Sequence, residues 1–326
     1  MRVLVTGAGA LLGQGIIRSL RGSTLDVQVV GADPSPLAVG LRWCDEAHTV
    51  PLAGAPEYGA AIDDLLAQAR PDAVLVGTDV ELPFFARHRE RLEREHELRV
   101  LVSSCEVVDV ANDKYRTWQF LDQHGFDPPR SCLPDSADAL AAHVGFPLIV
   151  KPRVGARAVG VVAVHNSAEL RSAIAGADEP VVVQELVGAD DVEYTAGALC
   201  FDGRCVASIV MRRELRDGNT WVAYVEDFPE LRKQVAEVAS ALGPYGPANF
   251  QFRLEGGRLR IFEINARFSG TTPFRMLAGL NEVEASLRYV LLGEPIHQPP
   301  VEPMVIARYL DEVVVTRDLP ARTKGT

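Results

Sequence analysis

The chain has 326 residues, of which 47% are hydrophobic and 24% are charged, a composition typical of a soluble globular protein with two or three domains. Its formal net charge of −11 argues against a nucleic-acid partner, because binding a phosphate backbone needs a basic surface. No run approaches the roughly 20 apolar residues of a membrane span. The glycine-broken N-terminus argues against a signal peptide, and five cysteines without a CxxC pair favour a reduced, cytoplasmic protein.

The first hundred residues alternate short valine-rich runs with helical segments, the pattern of βαβ units in a buried parallel sheet. The predicted strands are RVLV, QVVGAD, DAVLVGTD and LRVLVSS, and the helices include IIRSLRG, YGAAIDDLLAQAR and LPFFARHRERLEREHEL. The first turn, VTGAGALLGQG at residues 5–15, has GxGxxxG spacing, and Asp33 ends the next strand. This outline of a dinucleotide-binding fingerprint makes an NAD-dependent dehydrogenase one hypothesis.

The pattern of predicted helices and strands changes in the middle of the chain. Residues 109–125 predict a helix with Asn112 or Asp113 as its N-cap and Gly125 at its end, followed by the proline-rich connector FDPPRS. A helix at 136–143, the strands FPLIVKP, VVAVHN and PVVVQELV, and the helix SAELRSAIAG come next. Residues 190–310 predict four strands (EYTAGALCF, RCVASIVMRR, ANFQFRL, LRIFEIN) and two helices (PELRKQVAEVASAL, TTPFRMLAGLNEVEASLRYVLL).

The stretch ANFQFRLEGGRLRIFEINARFSG predicts a β-hairpin with one polar face. A two-residue Gly-Gly turn sets Gln251 opposite Phe262 and mixes the faces. A three-residue loop instead pairs Gln251 with Glu263, Asn249 with Asn265 and Phe252 with Phe262, and Ile261 then shares the face of Glu263. These oxygens suit Mg²⁺, and Arg267 follows beside them. From alternation alone, an ordinary wet polar face is an equally good interpretation.

FEINARFSG resembles the metal-binding strand of the ATP-grasp superfamily, and the chain resembles the single-module relatives of the carbamoyl-phosphate synthetase large subunit over residues 1 to about 310. The resemblance implies an α/β and α+β fold, with a Rossmann-like pre-ATP-grasp domain before a two-lobed ATP-grasp fold. The implied ranges are 1–110 for the first domain, 111–186 for the central subdomain with a linker helix, 187–310 for the catalytic subdomain, and 311–326 for a flexible tail.

The resemblance also assigns ATP contacts. Lys114 and Lys151 match basic positions that contact phosphates, and RVGARAVG takes the place of the loop that closes over them, with Gly155 and Gly160 allowing close approach. Arg157 is a guess for closing contacts. The adenine hinge corresponds to Glu185, Leu186 and Val187. Glu193 is preferred over Asp190 and Asp191 as the ribose acceptor, and Arg212 or Arg213 adds a phosphate contact.

The metal ligands implied by the resemblance are Gln251, Glu263 and Asn265, for Mg²⁺ or alternatively Mn²⁺. Arg267 matches the arginine that stabilises the transferring phosphoryl group. Substrate residues are less defined. Arg275 and the hydroxyls of Thr271 and Thr272 are candidates to hold a substrate carboxylate, although a threonine there is equally an N-cap.

The resulting hypothesis is an ATP-dependent carboxylate–amine ligase that forms an amide through an acyl phosphate and releases ADP and phosphate. Its partners are small carboxylate and amine molecules, with amino acids as candidates, and family precedent favours a homodimer. A non-catalytic ATP-binding module is the alternative, and the dehydrogenase comes third because the C-terminal half lacks hydride-transfer machinery. The sequence leaves the two substrates unnamed.

Overall fold

The computed structural model describes residues 1–155, 158–188 and 192–315. These residues form three β-sheets with packed helices, and the predicted mixture of α/β and α+β structure is confirmed. The division at 110, 186 and 310 stays our proposal, and each of its three ranges contains one sheet. Residues 316–326 of the predicted tail lie outside the described residues, and residues 311–315 carry no helix or strand.

The N-terminal sheet has five parallel strands in the order β3-β2-β1-β4-β5. Its elements are β1 (Arg2–Val5), α1 (Leu11–Arg21), β2 (Gln28–Asp33), β3 (Glu46–Thr49), α2 (Tyr58–Ala69), β4 (Ala73–Leu75), α3 (Leu82–His96) and β5 (Arg99–Leu101). The central strands β2, β1 and β4 are apolar and buried because they are covered on both faces, whereas the edge strand β3 is polar and partly exposed. Strands β1 and β4 are neighbours, so the loops after them lie side by side where the strand order reverses, a common ligand position in such sheets.

Two helices, α4 (Cys105–Asn112) and α5 (Lys114–Gln123), lead into the central part of the chain. The Asp113 carboxylate accepts hydrogen bonds from the backbone N–H groups of Tyr115 and Arg116. Asp113 is therefore the N-cap of α5, one of the two predicted candidates, whereas α4, which ends directly before it, was not predicted. The central sheet is antiparallel in the order β6-β9-β7-β8 and contains β6 (Ser131–Cys132), α6 (Ala137–Val144), β7 (Leu148–Pro152), β8 (Val162–Val164), α7 (Ser167–Ala175) and β9 (Val181–Glu185).

The third sheet has six antiparallel strands in the order β14-β13-β10-β11-β12-β15. Its elements are β10 (Glu193–Phe201), β11 (Arg204–Arg216), β12 (Asn219–Val225), α8 (Pro229–Leu242), β13 (Gly246–Glu255), β14 (Arg258–Asn265), α9 (Thr272–Leu277), α10 (Glu282–Leu287) and β15 (Met304–Ala307). One face packs on α8, where Val235, Phe250 and Ile264 are fully buried. Part of the other face packs on Phe274 of α9 through Phe201, Ile209 and Met211, and the rest lines the cleft.

The helix predicted over 271–292 is wrong as one element. It is divided into α9, α10 and a final π-helical turn, Arg288–Leu292. Gly279, at φ +97°, stands between α9 and α10, and this backbone conformation cannot continue a right-handed helix. The break lets α9 and α10 pack separately on α1, where the Asn281 side chain donates to the carbonyl of Ser19.

Candidate functional site

The β13–β14 hairpin brings the predicted polar residues together. Gln251 pairs with Glu263, and Asn249 pairs with Asn265, as predicted. The predicted three-residue loop is wrong. Glu255 pairs with Arg258 across a two-residue Gly256–Gly257 turn, with φ +56° and +78° at the glycines, which suits the right-handed twist of a hairpin.

A β-bulge at Phe262 restores the register. Phe252 pairs with Ile261, so the predicted Phe252–Phe262 pair is wrong, and the pairing shifts between Phe252 and Gln251. The extra residue changes which side chains share a face. Ile261 lies in the core, contrary to prediction, while Phe262 faces the cleft next to Glu263. A bulge depends on packing against the partner strand, and simple alternation carries no signal for it.

The predicted ligand residues contact each other directly. The Glu263 Oε1 atom accepts hydrogen bonds from Gln251 Nε2 at 3.0 Å and Asn265 Nδ2 at 3.1 Å. One carboxylate with two side-chain amides is a hard oxygen donor set with a single negative charge, and it fits a Mg²⁺ ion that also takes ligands from water and phosphate. Asn249 points to the same side, but its Oδ1 atom accepts from Thr195 and from buried Arg275.

Both predicted lysines are buried beside this set. Lys151 Nζ donates to Gln184 Oε1 at 2.8 Å and to the Phe262 carbonyl at 3.3 Å. Burial lowers the pKa of the Lys151 ammonium to about 7, against the opposing attraction of Glu263. Lys114, the first residue of α5, donates to the carbonyl of Gly155 at 2.8 Å. The two ammonium groups therefore reach the same cleft from different elements.

A narrow cavity of about 200 Å³ adjoins these lysines. Its lining includes Glu185, Leu186 and Val187 of the predicted hinge, together with Glu193 and Phe262. The backbone N–H of Glu185 already donates to the carbonyl of Arg130, so this donor is not free for a ligand. Leu186 and Val187 are the hinge residues that best fit contact with a flat ring.

The predicted ribose acceptor, Glu193, is engaged in the described structure. Its carboxylate forms ion pairs with Arg213 at 3.0 Å and Arg253 at 3.3 Å. Arg213 also donates to Gln251 Oε1 at 2.7 Å, whereas Arg212 lies over the ring of Tyr224. The structure thus separates the two arginines that sequence alternation left undecided, and Arg213 is the one in the cleft.

The glycine-rich segment is described only in part. Gly155, at φ +147°, lines the cleft near the end of β7. Gly160, at φ +74°, lies next to Pro152, the last residue of β7. A Cβ on Gly160 would come within 2.9 Å of Pro152, so that position has room for glycine only. The guess on Arg157 and the alternatives Asp190 and Asp191 lie outside the described residues.

Arg267 lies beside the proposed ligands, as expected, with Nη2 donating to Asn265 Oδ1 at 3.0 Å. It also forms a two-point ion pair with Asp79, at 2.7 Å and 3.1 Å. Asp79 follows β4 in the N-terminal sheet, and sequence reasoning missed it. The available signal was an aspartate at the carboxyl end of a predicted strand, DAVLVGTD.

Arg275 does not fit a direct contact with substrate. Its side chain is 0% exposed, and its Nε atom forms an ion pair with Glu282 at 2.8 Å. Its other nitrogens donate to hydroxyl and amide oxygens, including Thr271 Oγ1 at 2.6 Å and Ser269 Oγ at 2.9 Å. Arg275 therefore supports the loop from below, while Thr271 lines the cavity above it.

A wide cavity of about 980 Å³ meets the narrow one at Gln251, Glu263 and Lys114, which line both. Loops of the N-terminal sheet form one wall, through residues 9–12 and 77–80. The third sheet and the segments that follow its strands supply the rest of the lining, which includes Trp221, Arg308 and residues 269–271. The predicted metal ligands thus stand at the junction of a narrow and a wide compartment.

The glycine-rich segment at residues 7–13 is hydrogen-bonded to Asp33 of β2. The Asp33 carboxylate accepts from the backbone N–H of Gly9 at 2.7 Å and of Ser35 at 2.9 Å. This is the carboxylate that would bind a ribose in a dinucleotide-binding fingerprint. Its oxygens are occupied here, so the geometry does not favour the dehydrogenase hypothesis.

Among the described residues, no helix is both long and apolar enough to cross a membrane.

Three families match successive parts of the chain. Residues 3–101 match the PylC-like N-terminal domain, residues 111–223 the RimK-like ATP-grasp domain, and residues 178–313 the ATP-grasp family described from a biosynthetic pathway with the Ter operon.

Curated relatives include the carbamoyl phosphate synthase large chains of Halobacterium salinarum and Haemophilus ducreyi. The first is 26% identical over 90% of this chain and 31% of its own length, and the second is 24% identical over 94% and 30%. The chain therefore spans about a third of the length of these relatives.

Solved structures with the same fold include the N5-carboxyaminoimidazole synthetase of Staphylococcus aureus in complex with ADP. Its TM-score is 0.75 at 16% identity, covering 95% of this chain and 82% of that one. An L-amino acid ligase from Bacillus licheniformis has a TM-score of 0.68 at 20% identity, covering 91% of this chain and 75% of that one.

Proposed function

Because this chain belongs to the ATP-grasp superfamily, we propose that it is an ATP-dependent carboxylate–amine ligase. The observation that carries the proposal is the group of Gln251, Glu263 and Asn265, with Arg267 beside it, at the junction of the two cavities. The narrow cavity has the size and lining for an adenine ring, and the wide cavity has room for two further small molecules.

The proposed phosphoryl transfer uses positioned charges. A substrate carboxylate oxygen attacks the γ-phosphorus, the bond to the bridging oxygen breaks, and ADP leaves. Lys114 and Lys151 would bind phosphate oxygens, and Arg267 would stabilise negative charge on the transferring group. Gln251, Glu263 and Asn265 would hold Mg²⁺, which when bound neutralises phosphate charge.

The second step requires no nucleophilic side chain. The amine nitrogen attacks the acyl carbon, the carbon–oxygen bond to phosphate breaks, and the amine gives up a proton as the amide forms. Amide formation, the amino-acid substrates, a homodimer and a cytoplasmic location are parts of this proposal.

The test is an ADP-release screen over pairs of amino acids, with products identified by mass spectrometry. We expect Glu263→Gln and Asn265→Ala each to lower turnover by at least on the order of a hundredfold. Glu237→Gln, an exposed carboxylate on α8, is the matched control and should retain full activity. Folding is checked by circular dichroism and melting temperature. Retained turnover in a folded Glu263→Gln variant would contradict the assignment.

A non-catalytic nucleotide-binding module is distinguished by the same screen. Such a module would bind MgATP but release no ADP with any pair, and the Glu263→Gln variant would alter nucleotide affinity alone.

A further inference from the structure

Arg308 directly follows the edge strand β15 and is half-buried in the wall of the wide cavity. Its backbone N–H donates to the carbonyl of Trp221 at 2.7 Å, which fixes the residue to β12. Its Nη2 atom donates to the carbonyl of Gly270, and its guanidinium lies 5.2 Å from the centre of the Phe274 ring. Arg308 is thus held in place by groups that carry no negative charge.

The other deeply placed arginines of this cavity have counter-ions. Arg213 pairs with Glu193, and Arg267 pairs with Asp79. Within the described ranges, no carboxylate forms an ion pair with Arg308. Burial and the neighbouring charge of Arg18 lower the pKa of its guanidinium. A half-buried cation without a counter-ion is unfavourable, and an anion supplied from the cavity would relieve that cost.

The position of Arg308 defines where that anion would lie. The carbonyl it contacts belongs to Gly270, three residues beyond Arg267, so the same loop joins Arg308 to the proposed phosphoryl site. Leu11, the first residue of α1, packs against Gly270, since a Cβ on Gly270 would come within 3.0 Å of Leu11 Cδ2. The guanidinium therefore lies in the lining of the wide cavity, close to Leu11 and Gly270.

We propose that Arg308 binds a carboxylate that a substrate keeps throughout the reaction. A guanidinium offers paired N–H donors that match the two oxygens of a carboxylate. This inference rests on the proposed function and narrows it, since at least one substrate is then an amino acid or a dicarboxylic acid. The bound carboxylate is distinct from the one that is phosphorylated, because Arg308 contacts the loop at Gly270, three residues beyond Arg267 and the metal-ligand set.

The test measures binding without requiring turnover. Wild-type protein with saturating MgADP is screened by thermal shift against the twenty amino acids, their carboxamides and the C2 to C6 dicarboxylates. We expect at least one acid, but not its amide, to raise the melting temperature. Arg308→Gln should weaken the binding of that acid by at least about tenfold in Kd, and Arg308→Lys should retain part of the affinity.

Arg204→Gln, an exposed arginine at the start of β11, is the matched control and should bind the acid as wild type does. The inference is overturned if Arg308→Gln binds the acid equally well, if the amide binds as tightly, or if no acid in the panel shifts the wild type. Running the same panel for ADP release separates the two ideas: carboxylate binding through Arg308 without ADP release would reject the ligase and leave the binding site standing.

Discussion

Lys151 is a buried ammonium whose described hydrogen bonds reach an amide oxygen and a backbone carbonyl. Neither acceptor carries a full charge, so burial dominates and lowers its pKa to about 7. Phosphate oxygens would favour the charged form and raise that pKa again. The lysine is thus arranged to change its protonation when a nucleotide binds.

This arrangement predicts proton uptake on binding of MgADP. With a free-protein pKa near 7, we expect uptake of about half a proton at pH 7 and close to one at pH 8.5. Affinity should fall as pH rises above about 7, because binding must then protonate Lys151. Calorimetry in buffers of different ionisation enthalpy measures the uptake. Lys151→Gln should abolish the uptake, and Arg171→Gln, an exposed change on α7, should not; equal uptake in Lys151→Gln would contradict the prediction.

The β13–β14 hairpin shows at the level of the element how far the sequence reaches. Alternation in NFQFRL and RIFEIN correctly predicted the strands and the Gln251–Glu263 pair, because burial of one face is a local signal. The bulge and the two-residue turn were not predicted. The Gln251–Glu263 pair was still correct, because the turn is one residue shorter than predicted and the bulge adds one residue. Which of these combinations forms depends on how the strand packs on α8 and on the partner strand, which alternation does not record.

The bulge makes a specific prediction about Phe262. Deleting this residue leaves Phe252 opposite Ile261 and Gln251 opposite glutamate, so every described pair of the hairpin is preserved. We expect the deletion variant and Phe262→Ala to fold. Both should weaken the binding of MgADP by about tenfold in Kd, because the aromatic ring is lost from the narrow cavity. Binding and melting temperature are measured together. A deletion variant that unfolds while Phe262→Ala is stable would show that the bulge itself is required.

Across the whole molecule, the site is assembled from all three sheets. The sequence pointed to residues of the central and third sheets, because motif order and strand patterns are read along the chain. Asp79 was not predicted as a site residue, because its role depends on a contact with Arg267, 188 positions away in the sequence. The burial of Arg275 could not be predicted for the same reason: its partner, Glu282, is brought to it only when α9 and α10 separate at Gly279.

The Asp79–Arg267 contact predicts that the N-terminal sheet positions the arginine for phosphoryl transfer. Asp79→Asn should lower kcat for ADP release by about tenfold and change KM for ATP little, because the guanidinium loses its two-point anchor. Arg267→Ala should be worse, and the double variant no worse than Arg267→Ala alone. Additive losses in the double variant would mean that the two residues act independently. Asp26→Asn, an exposed change in the same sheet region, is the control.

Asp33 holds the amide of Gly9 from inside the protein, so the glycine loop keeps its shape without a bound ligand. Residues 9–12, at the end of this loop and the start of α1, line part of the wide cavity. That wall is therefore preorganised, in contrast to a surface that must be ordered by the nucleotide. A substrate that binds against this wall contacts an ordered surface whether or not ATP is bound. The conformational entropy of that surface was lost during folding and is not lost again on binding.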